Sequence, residues 1–263
     1  MVKAMAQPNL TAGSMYSQSA RLIFKRHRSL IIQPILILAI SLTLAIVLSN
    51  ATLDVIEEVT INPAFIFAAI KDHLILSFAS AAIIMAVAVP AGIALTRQKL
   101  KKFTPLVLIL ANIGQAFPAV GLLILSGILF GFGKPIAIFT FAAFGILPIL
   151  RNTIVGLQEI DPFIIESAKG MGMTARQALR QIELPLAVPV ILAGVRTTLI
   201  LTVGVATLGV FVNGGGLGTL IIPGLKLNRE LVIVTGGLLT VIVAFTMDWL
   251  ARVAEELLRP RGI

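Results

Sequence analysis

Cysteine is absent from this chain of 263 residues, and histidine is nearly so. Without thiols the chain has no disulfide, no thiolate metal site and no cysteine nucleophile. The two histidines, His27 and His73, are too few for a metal site built from several imidazoles. The apolar segments also show no Ser/His/Asp triad and no carboxylate pair arranged for catalysis. The sequence therefore predicts no catalytic residue, no metal site and no bound cofactor.

Charged residues are scarce as well, at 13% of the chain, whereas a soluble domain carries about 25%. Hydrophobic residues make up 57%, and the mean hydropathy is +1.01. There is too little polar surface to coat a water-soluble core, which excludes a disordered chain, a coiled coil and almost any cytosolic enzyme. The composition predicts an all-α polytopic membrane protein.

Six continuous apolar runs are long enough to cross the ~30 Å hydrocarbon core of a bilayer. They cover residues 30–49, 74–95, 104–130, 135–157, 189–212 and 231–253. Continuous runs argue against a β-barrel, whose strands alternate apolar and polar residues. The first run is longer than the hydrophobic region of a signal peptide, so we expect it to remain as a transmembrane helix.

Basic residues outnumber acidic residues by 21 to 12, which gives a formal net charge of +9. If the N-terminus is cytoplasmic, the four inner segments hold five, four, four and three Lys or Arg, sixteen in all, against four in the outer loops. Such an excess is the positive-inside signal. We therefore expect a cytoplasmic segment 1–29, an external loop 50–73 and a cytoplasmic tail 254–263. The basic excess then reflects topology and contact with anionic lipid, and not binding of nucleic acid.

Polar and helix-breaking residues interrupt the third run near its middle. Small residues and prolines often serve helix packing in membranes, and Asn112 and Gln115 have the alternative of bonding to a neighbouring helix. The other interpretation is a translocation path, because polar groups inside a membrane commonly mark one. The candidate path residues are Asn112, Gln115, Phe117, Pro118 and Phe211, although both phenylalanines also suit packing or lipid contact.

Arg196 and Asp248 are the charges nearest to the interior of the membrane. Arg196 lies about two turns inside the fifth run and has room to extend its side chain towards the inner edge. Asp248 is spaced to pair with Arg252 one helical turn later. We expect structural roles for both.

The segment 158–188 is the longest connection predicted on the inner side. Asp161 and Pro162 predict the start of a helix, Gly170 and Gly172 predict its end, and Thr174 caps a second short helix that Pro185 ends. The apolar stripes of these helices are too short to cross a bilayer. Spacing alone leaves two options, a helix pair lying on the membrane surface or one inserted into another protein.

The residues of this segment follow a known pattern. The segment reads Glu166-Ser167-Ala168, three residues, Gly172, nine residues, Ile182, one residue, and Leu184-Pro185. This pattern resembles the EAA motif of ABC importer permeases. That motif reads Glu-Ala-Ala-x3-Gly-x9-Ile-x-Leu-Pro, and Ser167 in place of the first Ala is the one departure. The resemblance implies that residues 158–188 are the coupling element that docks on an ATPase subunit. In that setting Glu166 contacts a basic residue of the ATPase, Gly172 is a hinge, and Pro185 fixes re-entry into the fifth span.

The same resemblance implies the rest of the architecture. Residues 74–253 would form a MetI-like permease core, with the first span, 30–49, as a peripheral helix. The expected partners are two ATP-binding subunits, which hydrolyse ATP, a second permease subunit and an external solute-binding protein. The expected location is the plasma membrane of a prokaryote, with both termini cytoplasmic.

Four further stretches resemble segments of osmoprotectant permeases: 146–153, 169–173, 183–196 and 214–218. Such permeases import glycine betaine, choline, carnitine or proline betaine. Such quaternary amines are held in aromatic cages, and this chain has one Trp, one Tyr and 14 Phe, so we expect tight recognition in the separate binding protein. The alternatives are an ABC permease for an amino acid such as methionine, an ion-coupled secondary transporter, and a membrane scaffold that transports nothing.

Overall fold

The structure is a computed structural model that describes residues 12–258, with side chains described from residue 30 to residue 257. Within this range the chain forms twelve α-helices and no strand. In order they are α1 (Ala12–Asn50), α2 (Val55–Thr60), α3 (Pro63–Leu95), α4 (Thr104–Ala116), α5 (Ala119–Phe130), α6 (Lys134–Phe144), α7 (Ile146–Gln158), α8 (Pro162–Gly170), α9 (Ala175–Ala178), α10 (Leu184–Ala206), α11 (Gly218–Lys226) and α12 (Glu230–Leu258). Lys101–Phe103 and Thr207–Val212 form 3₁₀ turns, and Leu179–Glu183 forms a π-helical turn.

Five helical stretches of the described residues are long and apolar enough to cross a membrane, and one bent helix pair makes a sixth. The five are Leu30–Asn50, Pro63–Thr96, Lys134–Gln158, Ala175–Val212 and Glu230–Leu257. The sixth corresponds to the third predicted run. The prediction of an all-α polytopic membrane fold with about six spans is confirmed.

Several helices extend past the predicted runs. The helix predicted to begin at residue 74 begins at Pro63, because the Asn62 side chain accepts a hydrogen bond from the Ala64 N–H at 2.8 Å and Pro63 suits a first turn. The predicted loop 50–73 therefore holds α2 and the start of α3. Hydropathy finds apolar runs and misses helices that continue through polar residues.

Both predicted terminal segments are partly helical. α1 begins at Ala12 and runs through most of segment 1–29, and α12 continues to Leu258. Residues 1–11 and 259–263, with the basic residues Lys3, Arg259 and Arg261 of the charge count, lie outside the described residues. The sidedness assigned to both segments stays a prediction.

Helices α3, α7 and α10 contact one another and form the centre of the fold. Close approach depends on small residues: a Cβ on Gly92 of α3 would lie 2.7 Å from the Thr153 Cβ, and one on Gly194 of α10 would lie 2.8 Å from the Asn152 Cβ. At Gly194 packing is thus sufficient to explain the glycine. α1 contacts α12 at the edge of this core. Its assignment as a peripheral helix stays a prediction.

The third span is broken. α4 and α5 meet at an angle of 93°, and the residues between them are Phe117 and Pro118. Phe117 has the extended backbone that a residue before proline prefers, since the proline ring disfavours the helical conformation there. Residues 104–130 were predicted as one run, and hydropathy does not register the bend because both arms are apolar.

The prediction that Pro185 ends the second short helix is wrong. The chain is helical from Ala175 to Val212 and passes through Pro185 near the start of α10. A proline ring normally clashes with the carbonyl four residues earlier. Here the π turn Leu179–Glu183 precedes it, with the Leu184 N–H bonded to the Leu179 carbonyl, and the wider turn accommodates the ring.

Candidate functional site

The first half of the predicted coupling element is a capped helix with a defined end. The Asp161 carboxylate accepts a hydrogen bond from the Phe163 N–H at 2.9 Å and starts α8. At the other end, the Met173 N–H donates to the Ala168 carbonyl at 3.1 Å and the Gly172 N–H donates to the Lys169 carbonyl at 2.9 Å. This is a Schellman turn, which requires a left-handed residue, and Gly172 has φ +84°. The predicted end of the helix near Gly172 is confirmed.

The second half begins with a capping box and continues into the fifth span. The Thr174 hydroxyl accepts from the Gln177 N–H at 3.3 Å, and the Gln177 side-chain oxygen accepts from the Thr174 N–H at 2.8 Å. α8 contacts α9, and each helix has a fully buried alanine, Ala168 and Ala178. The predicted helix–glycine–helix arrangement is therefore present, and no flexible linker separates it from α10.

The motif residues divide into an exposed tip and a half-buried base. Glu166, Ser167 and Gly172 are exposed, whereas Ile182, Leu184 and Pro185 are half-buried where the element joins the core. Beside the tip, Phe163 and Met171 are 72% and 70% exposed. The tip thus offers a carboxylate flanked by large apolar side chains, a surface suited to docking on another protein.

An ion pair at the base of the element was not predicted. The Arg97 guanidinium donates to both oxygens of Glu183, with Nη1–Oε1 at 3.2 Å and Nη2–Oε2 at 2.5 Å. Arg97 follows the end of α3, and Glu183 is buried at the end of the π turn. The one sequence signal was an acidic residue inside the EAA pattern, between Ile182 and Leu184, in a chain with basic residues from 97 to 102.

The candidate path residues come together only in part. Asn112, Gln115, Phe117 and Pro118 lie at the bend between α4 and α5, where Asn112 donates to the Leu108 carbonyl of its own helix at 2.8 Å. Asn112, Phe117 and Pro118 are exposed, and Gln115 is half-buried. Phe211 lies on the Thr207–Val212 turn and lines a separate hollow of about 440 Å³ with Lys226 of α11. A role of these residues in translocation stays a prediction.

Arg196 and Asp248 belong to one polar cluster. Asp248 of α12 accepts from Arg196 of α10, from the Gln33 amide of α1 at 2.8 Å and from Arg252 at 3.3 Å. The expected pairing of Asp248 with Arg252 is present, and Arg196 bonds to Asp248 as well. The Trp249 indole also donates to the Leu30 carbonyl at 2.9 Å, so polar contacts join α1 to the core.

The N-terminal half of α3, far from the coupling element, contacts a tight turn at residues 213–218, which we call the glycine turn. The buried His73 accepts a hydrogen bond from the Leu217 N–H at 3.3 Å. Asp72 beside it pairs with Lys134 at 2.5 Å, and its carboxylate oxygen lies 2.5 Å from the position that a Cβ on Gly215 would take. Backbone hydrogen bonds from Asn213 to Val210 and from Gly214 to Gly209 make this stretch a tight turn.

Comparison with known proteins identifies the family. Residues 88–260 match the family described as "Binding-protein-dependent transport system inner membrane component". The chain is similar to two permease proteins of Bacillus subtilis (strain 168), the glycine betaine/carnitine/choline transport system permease protein OpuCB and the choline transport system permease protein OpuBB. Each is 40% identical over 192 residues, 73% of this chain and 88% of the relative.

A solved structure supports the fold. A chain of the MetNI methionine ABC transporter in an inward-facing conformation matches with a TM-score of 0.66 and 23% identity, covering 76% of this chain and all of that chain. The family match covers most of the chain, and it includes the capped helix pair, its motif and the broken third span. The chain belongs to the family of binding-protein-dependent transport system inner membrane components, the membrane-spanning permease subunits of ABC importers.

Proposed function

We propose that this chain is the permease subunit of an ATP-driven importer of osmoprotectants, small quaternary amines of the glycine betaine, choline and carnitine type. The observation that carries the proposal is the coupling element, with the EAA pattern on a capped helix pair and an exposed carboxylate at its tip. An ion-coupled secondary transporter has no use for such an element.

The exposed tip supports docking on an ATP-binding subunit that hydrolyses the nucleotide. Glu166 meets a basic residue of that subunit, and Phe163 and Met171 enter an apolar groove beside it. In an interface these large side chains bury their apolar surface, which stabilises docking by roughly 25 cal/mol for each Å² removed from water. Ser167 in place of alanine keeps the surface small enough for close approach.

The assembly contains two permease subunits, two ATP-binding subunits and an external solute-binding protein. The excess of basic residues on one side supports an orientation with both termini and the coupling element in the cytoplasm. An ATPase is then on the side where it reaches the element.

Transport follows alternating access. Nucleotide binding closes the ATPase pair, moves the docked elements and shifts the permease between inward- and outward-facing states. The two states differ in contact free energy, and that difference couples ATP to the solute path. The bend between α4 and α5 forms part of this path. Asn112 and Gln115 supply its polar groups, and Phe117 and Pro118 lie at the break between the helices.

The substrate class rests on the relatives. Two relatives of equal identity are named for different substrate sets, one for glycine betaine, carnitine and choline and the other for choline alone. Permease sequence at this level therefore supports the quaternary amine class and not one member of it. Selection among the members belongs to the solute-binding protein, whose aromatic cage holds the cation.

Reconstitution tests the proposal. The chain is placed in proteoliposomes with its ATPase subunits and its binding protein, and uptake of glycine betaine, choline, carnitine and methionine is measured with and without ATP. We expect ATP-dependent uptake of at least one quaternary amine and a requirement for the binding protein. Uptake of methionine alone would indicate an amino-acid permease, and uptake driven by an ion gradient without ATP would indicate a secondary transporter. No flux under any condition would leave the scaffold as the correct function.

A further inference from the structure

The joint between the coupling element and the core depends on the Arg97–Glu183 pair. Glu183 belongs to the π turn that connects the short helix α9 to the fifth span, and its side chain is 9% exposed. Arg97 reaches it from the end of α3 with two parallel hydrogen bonds, the arrangement in which a guanidinium holds a carboxylate most firmly. The pair thus joins two elements that are 86 residues apart in the chain.

Its position is at the meeting point of four elements. A cavity of about 400 Å³ lies beside the pair and is lined by the ends of α3 and α7, by Ile165 of α8 and by Glu183 itself. The space is partly polar, because Lys101 and Gln158 also face it. Side chains that border a cavity have room to change position, so this region is able to deform more than the packed centre of α3, α7 and α10.

The backbone between α9 and the fifth span is the π turn Leu179–Glu183. A π-helical turn departs from regular helical hydrogen bonding, and such turns often occur at functional sites. A contact made by this turn with another helix is therefore a second connection between the element and the core, beside the continuous helix from Ala175 to Val212.

The energetics favour a pair that stays intact while the element moves. Surface ion pairs contribute little, but separating a buried carboxylate from its partner is costly because the carboxylate is then left without compensation. Glu183 is 9% exposed and Arg97 is 38% exposed, so breaking the pair should cost more than breaking a surface pair, which favours movement of Arg97 together with the turn. Arg97 also donates from Nε to the Ile93 carbonyl at 3.3 Å, which ties its side chain to the last turn of α3.

We propose that Arg97 and Glu183 are positioning residues that transmit movement of the coupling element to α3, in parallel with the covalent connection to α10. The inference rests on the proposed function, because it assumes that an ATPase moves the element. Both residues lie outside the fixed positions of the EAA pattern. Through their contact the spans of α3 and α10 move together.

Transport per ATP distinguishes this role from a structural one. Arg97→Gln, Glu183→Gln and the double variant are reconstituted with ATPase and binding protein, and ATP hydrolysis and glycine betaine uptake are measured in the same vesicles. We expect each single variant to keep most ATP hydrolysis while uptake per ATP falls about tenfold, within the usual range of coupling effects. The double variant should fall no further than either single variant, because both remove the same contact.

Two controls sharpen the test. Lys101→Gln removes a positive charge from the same cavity and leaves the pair intact, so its uptake per ATP should stay at the unsubstituted value. Arg97→Lys keeps the charge but not the two-pronged geometry, and it decides the question if the glutamine variants fail to insert. It should retain the melting temperature and still lower uptake per ATP.

Unchanged uptake per ATP in Arg97→Gln or, failing its insertion, Arg97→Lys, would overturn the inference. So would a parallel loss of hydrolysis and uptake with a lower melting temperature, since that pattern describes a structural contact. These failures are distinguishable from failure of the proposed function, in which the unsubstituted complex itself shows no ATP-dependent uptake.

Discussion

The two ends of α3 have opposite characters. At the end we call the glycine-turn end, Asp72 pairs with Lys134 and His73 accepts from the turn at residues 213–218. The other end of α3 lies beside the coupling element, and we call this region the coupling end. Here Glu166 of α8 and the apolar side chains around it are exposed. The glycine-turn end is closed by contacts within the chain, whereas the coupling end has a surface that a partner completes.

A second ion pair at the glycine-turn end joins two loops. Arg229, before α12, pairs with Asp54, which caps α2. The hydrogen bond from the Glu57 N–H, helped by the bond from Ile56 and by Arg229, holds the pKa of Asp54 below its usual value despite some desolvation. Two of the four basic residues predicted outside are thus neutralised by acidic residues of the loop 50–73. Substitutions at the glycine-turn end should therefore affect stability, and substitutions at the coupling end should affect transport.

Gly218→Ala should have the largest effect, at the glycine-turn end. A Cβ at this position would lie 1.8 Å from the Thr207 carbonyl oxygen, and backbone cannot move aside as a flexible side chain does. Overpacking typically costs about 1–3 kcal/mol, and we expect this variant at or beyond the upper value. The melting temperature in detergent and the amount of protein in the membrane measure the loss. Gly237→Ala, inside α12, is the matched control, because its Cβ meets nothing within 4 Å and alanine suits a helix interior, so stability should not fall.

Glu166→Lys should abolish ATP-dependent uptake at the coupling end while leaving the fold intact. Its side chain is exposed, and reversal of its charge opposes the basic partner residue that we propose on the ATPase. The measurements are uptake in proteoliposomes and co-purification of the ATPase. Glu159→Lys makes the same charge change at an exposed residue of this end outside the motif, and it should transport normally. Normal uptake by Glu166→Lys would contradict the role of Glu166 in docking.

Gly172→Asp should reduce uptake strongly with a smaller effect on the fold. The position has space for a side chain, but φ +84° costs a non-glycine residue about 1–2 kcal/mol, and relief of this strain would reorient α8 against α9. Gly170→Asp adds the same charge at the last residue of α8, where the space is equally open. If both variants lose uptake equally, charge and not backbone conformation is responsible, and the hinge assignment fails.

Lys134→Gln should have the smallest effect. Its partner Asp72 is 26% exposed and its own side chain is 43% exposed, so water screens the pair. We expect a loss of about 1 kcal/mol or less. The melting temperature should fall slightly at low salt, and the difference from the unsubstituted chain should shrink at high salt. Lys226→Gln, which removes a basic residue from the same end, is the comparison; an equal fall in both would mean that net charge, not the pair, is responsible.

Local signals in the sequence were sufficient for the number of spans and for the caps and the turn of the coupling element. The caps at Asp161 and Thr174 and the left-handed turn at Gly172 depend on residues within a few positions of one another. Contacts between distant segments were not predictable in this way. Arg97 and Glu183, Arg196 and Asp248, and Gln33 and Asp248 meet only because the helices that carry them pack together.

Hydropathy therefore determined that this protein crosses the membrane as a helical bundle, and short-range capping determined the helix–glycine–helix shape of segment 158–188. The likeness of that segment to a coupling element came from the residues of the EAA pattern. The tertiary structure decided that the third span bends by 93°, that the helix continues through Pro185 and that the element is joined to α3 by an ion pair. The physical reason is the distance along the chain over which each interaction acts. Apolar runs and caps act over a few residues, whereas a bend, a π turn and a buried ion pair are stable only when separate helices supply the packing and the partner charges.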